Sequence, residues 1–138
     1  MERKKRVLFL CTGNSARSQM AEALLRNLAG NKFEVASAGT NPKGLHPRTV
    51  DVMKEIGIDV SRQTSKDVTQ VLGEEFDYVV TVCDRAKQHC PVFPGAEPIH
   101  WGFDDPAEAP REKQLEAFRR VRNEIQQRLR LFLLSNQK

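Results

Sequence analysis

Short unbroken apolar runs alternate along this chain with stretches in which apolar residues recur every three or four positions. The first run, Val7-Leu-Phe-Leu10, is apolar at odd and even positions alike, the pattern of a strand buried on both faces. From Ser18 to Leu28 the spacing changes, and Met20, Leu24, Leu25 and Leu28 fall on one side of a helix. Phe33–Ala38 reads as a second strand ended by Gly39. Pro47–Ile56 reads as a second helix, with Val50, Met53 and Ile56 at intervals of three and Gly57 closing it. Tyr78–Val82 is a third buried strand, with Gly73-Glu-Glu75 ahead of it, and Pro98–Trp101 is a short fourth. The last helix carries Leu115, Phe118, Val121, Ile125, Leu129 and Phe132 in a seam of threes and fours. Strands alternating with helices predict an α/β, three-layer fold with a central four-stranded parallel sheet flanked by helices. No repeat, low-complexity tract or linker interrupts residues 1–138, so a single domain is expected.

Composition narrows the class. A chain of 138 residues with 39% hydrophobic and 29% charged side chains has the size and balance of a globular domain with a real core. No stretch approaches the roughly 20 apolar residues that span a bilayer. The basic start, Met1 to Arg6, is followed by only four apolar residues before Cys11, too few for a secretory signal. A cytoplasmic, reducing compartment is therefore expected, with no membrane partner. The net charge of +4 is mild. Arg119, Arg120, Arg122, Arg128 and Arg130 interleave with Glu116 and Glu124 on the last helix, which reads as a solvated face and not as a nucleic-acid stripe. The positive balance suits an anionic substrate, and a monomer is expected.

Three cysteines is an odd number, which argues for reactive thiols or metal over a static disulfide framework. Cys11 stands where the first strand ends, the edge at which open α/β sheets bind ligands. The helix starting near Ser18 points its unpaired N–H groups back at this loop, and the backbone over Thr12, Gly13, Asn14, Ser15, Ala16 and Arg17 could form an anion nest. Arg17 adds a planar fork for bidentate oxyanion contact. A cysteine in such a field is expected to be largely thiolate. With one glycine and no Gly-Lys-Ser/Thr ending, the loop is not a nucleotide-binding one. The bland alternative for Cys11 is a small buried hydrophobe.

Two further stretches carry candidate chemistry. In "HWGFDDPAEAP", Asp105 precedes Pro106, which restricts it to an extended conformation and so aims its carboxylate. Trp101 and Phe103 are candidates for an apolar wall favouring the protonated form that a general acid needs. On residues alone, an ordinary loop aspartate is the slightly better reading. In "VVTVCDRAKQHCP", Cys83 also follows a strand, so Cys11 and Cys83 are expected to face one crevice. Cys90 lies seven residues on, before Pro91. Were 83–90 helical, the two thiols would sit about 10.5 Å apart along the axis. A disulfide wants Cα atoms roughly 4.4–6.8 Å apart, so a Cys83–Cys90 bond would require unwinding. No C-x2-C pair is present and adjacent His89 and Cys90 are poorly spaced for one metal, so no resident metal is expected. Inert core cysteines are the remaining alternative.

The string Cys11-x5-Arg17-Ser18 resembles the phosphate loop of the low-molecular-weight protein tyrosine phosphatases. The longer "CTGNSARSQMAEAL" is similar to the thioredoxin-coupled arsenate reductases of that fold. The resemblance implies that Cys11 is the nucleophile, that Thr12 to Arg17 bind the oxyanion, that Ser18 hydrogen-bonds the sulfur and that Asn14 braces the loop. It implies Asp105 as general acid, and "HWGFDDP" is close to the reductase version. Phosphatase members carry an aromatic pair soon after the Asp-Pro, where Ala107, Glu108 and Ala109 stand here, which puts phosphotyrosine specificity in doubt. The resemblance further implies a relay in which Cys11 attacks arsenate, Cys83 attacks the adduct, and Cys90 forms a Cys83–Cys90 disulfide re-reduced by thioredoxin, with phosphate and sulfate as competing oxyanions. It implies no tightly bound cofactor. Some members bind potassium through an aspartate after Thr-Ser. Lys66 follows Thr64-Ser65 here, with an ammonium that could replace the cation, which puts a potassium requirement in doubt. A cysteine common before the loop arginine is Ala16 here and has no step in the relay. The other reading is a phosphatase that senses redox state through Cys83 and Cys90.

Overall fold

The computed structural model describes residues 3–136. Four parallel strands form one sheet: β1 (Lys5–Cys11), β2 (Phe33–Gly39), β3 (Tyr78–Thr81) and β4 (Glu97–His100). Helices α1 (Arg17–Ala29), α2 (Pro47–Lys54), α3 (Asp84–Gln88) and α4 (Gln114–Ser135) flank it. The strand order is β2-β1-β3-β4. Every residue from Val7 to Cys11 is buried, so β1 is covered on both faces, as its unalternating pattern requires. β4 lies at an edge, where Pro98 costs no hydrogen bond. The N–H groups of Glu97 and Trp101 donate inward to Asp77 and Thr81, and the intervening parity faces out.

The chain leaves β1 toward β2 on one side and β3 toward β4 on the other. The connections therefore diverge at the carboxyl ends of β1 and β3, opening a crevice there. Leu10 pairs with Thr81 in register, which brings Cys11 and Cys83 to neighbouring strand ends.

Several expected boundaries move. The second helix stops at Lys54, and its buried face is Thr49, Val52 and Met53, with Ile56 exposed. A spacing of three drifts about 60° per step round a helix, so Val50, Met53 and Ile56 do not share one face for long. The helix after Cys83 is shorter than the 83–90 span considered from sequence: Cys83 caps it and it ends at Gln88. β3 ends at Thr81, one residue before Val82, and β4 runs one residue earlier than Pro98–Trp101. Arg122 is not on a solvated face. It is buried, donating to the Val52 carbonyl at 2.8 Å and to Glu55 at 2.9 Å, and so ties α4 to α2. Among the described residues no helix is long and apolar enough to cross a membrane.

Candidate active site

The loop from Cys11 to Arg17 is held by a buried polar network whose donors can be assigned one after another. The Lys66 backbone N–H donates to Asn14 Oδ1 at 2.9 Å, which fixes the orientation of that amide. Asn14 Nδ2 then donates to Ser18 Oγ at 2.8 Å and Ser37 Oγ at 3.0 Å. Ser37 Oγ in turn donates to Glu22 Oε1 at 2.6 Å. Ser18, already an acceptor, is left to donate to Cys11 Sγ at 2.9 Å. The Asn14 N–H reaches the same sulfur at 3.2 Å. Cys11 Sγ thus sits among donors, the setting a thiolate nucleophile needs.

Turning that N–H inward requires Asn14 to adopt φ of 45°, a left-handed conformation that asparagine tolerates better than most residues. Gln19, fully buried, anchors the turn by donating to the Asn14 and Thr64 carbonyls. Gly39 lets β2 approach: a Cβ there would lie 2.5 Å from the Thr12 carbonyl and 2.9 Å from Asn14 Cβ.

Arg17 lies mostly buried at the first turn of α1. It donates to the Phe103 carbonyl at 3.0 Å and approaches Asp105 Oδ2 at 3.7 Å, so the candidate general acid and the oxyanion fork come together. Asp105 caps the turn after it through the Ala107 N–H at 3.0 Å, which directs the carboxylate as its place before Pro106 suggests. The expected apolar wall is absent. Trp101 packs into the core with Phe9 and Phe132, and Phe103 contributes its carbonyl.

A cavity of about 500 Å³ opens above the loop. Cys11, Arg17, Cys83 and Asp105 all line it, joined by Lys43, His46 and Arg85, and none of its lining residues is phenylalanine, tyrosine or tryptophan. Thr12 Oγ1, on the residue after Cys11, lies 3.3 Å from Cys83 Sγ. Cys83 is buried and accepts from the Ala86 N–H as the cap of α3. Cys90 stands beyond the far end of α3, half-buried, and burial pushes its thiol pKa up. All three thiols are free.

Sequence reasoning missed Ser37, Glu22 and Gln19. Each is a polar residue at a position that the apolar pattern gives no reason to bury. It also missed His46, whose Nδ1 accepts from the Arg48 N–H and caps α2 while its ring packs 4.8 Å from Phe118. His46 before Pro47 is a cap arrangement that could have been noticed. Lys66, whose ammonium could replace a cation, lends the loop its backbone N–H, and its Nζ lies on the surface 3.4 Å from the Thr64 carbonyl. The cation beside Glu22 is Arg26, at 2.6 Å.

Residues 6–138 match the low molecular weight phosphotyrosine protein phosphatase family. The chain belongs to this family. An arsenate reductase of Halalkalibacterium halodurans is 49% identical over 132 residues, 94% of this chain and 95% of the relative. A solved arsenate reductase in a phosphate-binding state superimposes with a TM-score of 0.79 at 31% identity, over 95% of this chain and 98% of its own. The thioredoxin-dependent arsenate reductase of Corynebacterium glutamicum gives 0.74 at 31% identity, over 97% of this chain and 64% of its own.

Proposed function

We propose that this protein reduces arsenate to arsenite, using Cys11, Cys83 and Cys90 in sequence and taking its electrons from thioredoxin. The observation that carries the reading is a second thiol, Cys83, on the wall of the cavity that holds the candidate nucleophile and its oxyanion cradle. A phosphate-ester hydrolase has no step for it. The relatives' names supply the substrate, and the lack of phenylalanine, tyrosine and tryptophan in the cavity lining speaks against an aryl phosphate.

In the proposed reaction the loop amides and Arg17 bind the arsenate oxygens, and the Cys11 thiolate attacks arsenic. Asp105 gives a proton to the departing oxygen, which leaves as water. Cys83 then attacks the Cys11 sulfur. A Cys11–Cys83 bond forms, the S–As bond breaks, and its electron pair stays with arsenic as arsenite leaves. Cys90 attacks the Cys83 sulfur, releases Cys11 as thiolate and leaves a Cys83–Cys90 disulfide for an external dithiol to reduce. Two thiols are oxidised and one arsenic centre is reduced by two electrons, so the cycle balances. The raised pKa of Cys90 keeps it a poor nucleophile until its segment rearranges.

Arsenate turnover with thioredoxin, thioredoxin reductase and NADPH, run beside p-nitrophenyl phosphate hydrolysis, tests the proposal. NADPH consumption that depends on both arsenate and thioredoxin is the expected result. Ester hydrolysis without arsenate-dependent NADPH consumption would instead establish a phosphatase with redox-sensing thiols.

A further inference from the structure

Beside the cavity, three strand and helix ends are joined by one histidine that the chemistry above does not use. His100 ends β4, and its Nε2 lies 3.0 Å from Asp84 Oδ1 at the first residue of α3. Its Nδ1 lies 2.8 Å from Thr81 Oγ1, the last residue of β3 and its register partner. Both ring nitrogens are therefore committed. Thr81 is buried, and its hydroxyl also has the Ile99 carbonyl within 3.4 Å as a second acceptor. It can give a proton to a neutral ring or accept one from a charged ring, and the bond to Asp84 is made either way. Asp84 directly follows Cys83, so the sheet edge grips the chain one residue from the second thiol.

The other end of the same segment is held less firmly. After Asp84, the hydrogen bonds of α3 stay within the segment, with Ala86 N–H donating to the Cys83 sulfur at 3.4 Å, and Lys87 N–H to Cys83 O and His89 N–H to Arg85 O, both at 3.2 Å. Arg85, Lys87, Gln88 and His89 are exposed, and Ala86 alone of the helix is buried.

We propose that His100 is a positioning residue for Cys83, acting through Asp84. It keeps the Cys83 sulfur on the cavity wall while the remainder of α3 unwinds from the Cys90 end. This rests on the relay proposed above, in which the Cys83 sulfur must first meet Cys11 and then be reached by Cys90. A Cys83 free to leave with its helix would lose the first encounter. With a rigid helix, the second encounter would fail.

Single-turnover arsenate reduction in a Cys90→Ser background, followed by mass spectrometry of the Cys11–Cys83 disulfide, reads the first encounter. Adding His100→Ala should slow that disulfide by about two- to fivefold, the size expected of a hydrogen bond to a carboxylate whose side chain is 88% exposed. Hydrolysis of p-nitrophenyl phosphate should stay at the parent rate. Asp84→Ala should reproduce the slowing, and Asp84→Asn, which keeps an acceptor oxygen for Nε2–H, should largely restore the rate. Disulfide formation at the parent rate in both alanine variants would overturn the proposal, as would equal slowing of ester hydrolysis. Amide exchange of the reduced protein gives an independent reading: His100→Ala should raise exchange at Ala86 and Lys87, and unchanged exchange there would also overturn the clamp. If Cys90→Ser itself formed no Cys11–Cys83 bond, the relay would fall and the exchange result alone would decide the clamp.

Discussion

The sulfur of Cys11 collects one hydroxyl and one backbone donor, while Arg17 waits beside Asp105, already oriented by the Phe103 carbonyl. Cys11→Ser should therefore abolish arsenate reduction and any ester hydrolysis, since a serine hydroxyl is not ionised near neutral pH even among such donors. Measurable turnover in either assay would remove Cys11 from the role. Arg17→Lys should fail nearly as badly, because a point charge replaces neither the fork on the oxyanion nor the hold on Phe103. Asp105→Asn should slow adduct formation by about 10²–10⁴-fold. Sulfate binding, measured by calorimetry, should survive because the cradle does not depend on that carboxylate. A parent-like rate would hand the proton to Asp104 or water. At this scale the grouping of Cys11, Arg17, Ser18 and Asp105 in one site was expected from spacing and resemblance, and the structure brings them together. The contacts of Ser37, Glu22 and Gln19 were not expected, because a buried polar residue announces itself only through partners far away in the chain.

Two elements carry most of the design. The strand-loop-helix from β1 to α1 is compact because β2 passes close beneath it, and Gly39 makes that passage possible. Gly39→Ala would drive a Cβ against the Thr12 carbonyl and Asn14, so the loop must shift. Overpacking of this kind costs about 1–3 kcal/mol. The clearest readout should be weaker sulfate binding, out of proportion to a modest fall in melting temperature; unchanged sulfate affinity would count against the close approach. The other element, α3, is only five residues long and capped by Cys83 itself, so oxidation has little helix to undo. Amide exchange over residues 84–90 should rise on forming Cys83–Cys90. In Cys90→Ser, reduction should stop after one turnover at a Cys11–Cys83 disulfide. Full cycling of that variant with thioredoxin as sole reductant would exclude the relay. The unwinding was argued for a helix over 83–90, and the helix that forms is shorter because Cys83 is a cap residue and His89 already departs from helical geometry.

Across the whole molecule, the cavity is braced by α4 through His46, whose ring lies on Phe118, and α4 is tied to α2 through Arg122 and Arg119 on Glu55. Burial lowers the His46 pKa from 6.5, with Arg48 also lowering it and Asp105 and Asp51 opposing. The folded state then binds fewer protons than the unfolded chain just below pH 6.5, so stability is complete above that value and falls as pH drops through it toward the lowered folded value. Protonation would also set an N–H of the ring against the Arg48 N–H that it now accepts. Urea midpoints should decline on acidification through this range. His46→Asn, which retains a cap acceptor without a titrating ring, should flatten the decline. A parallel decline in the variant would assign the effect elsewhere.

The sequence by itself determined the alternation of strands and helices, the fold class, the loop of Cys11 and Arg17 and the candidate thiols. These depend on local periodicity, on turn-forming residues and on spacings within a single loop. Tertiary structure decided that Thr12 stands against the Cys83 sulfur, that Trp101 serves the core while Phe103 lends its carbonyl, that Arg122 is buried, and that Lys66 gives the loop its backbone N–H. The divergence of connections at β1 and β3 placed Cys83 beside Cys11, 72 positions away in the chain. Pairing between strands is set by which faces bury together, and neither periodicity nor spacing along the chain records it.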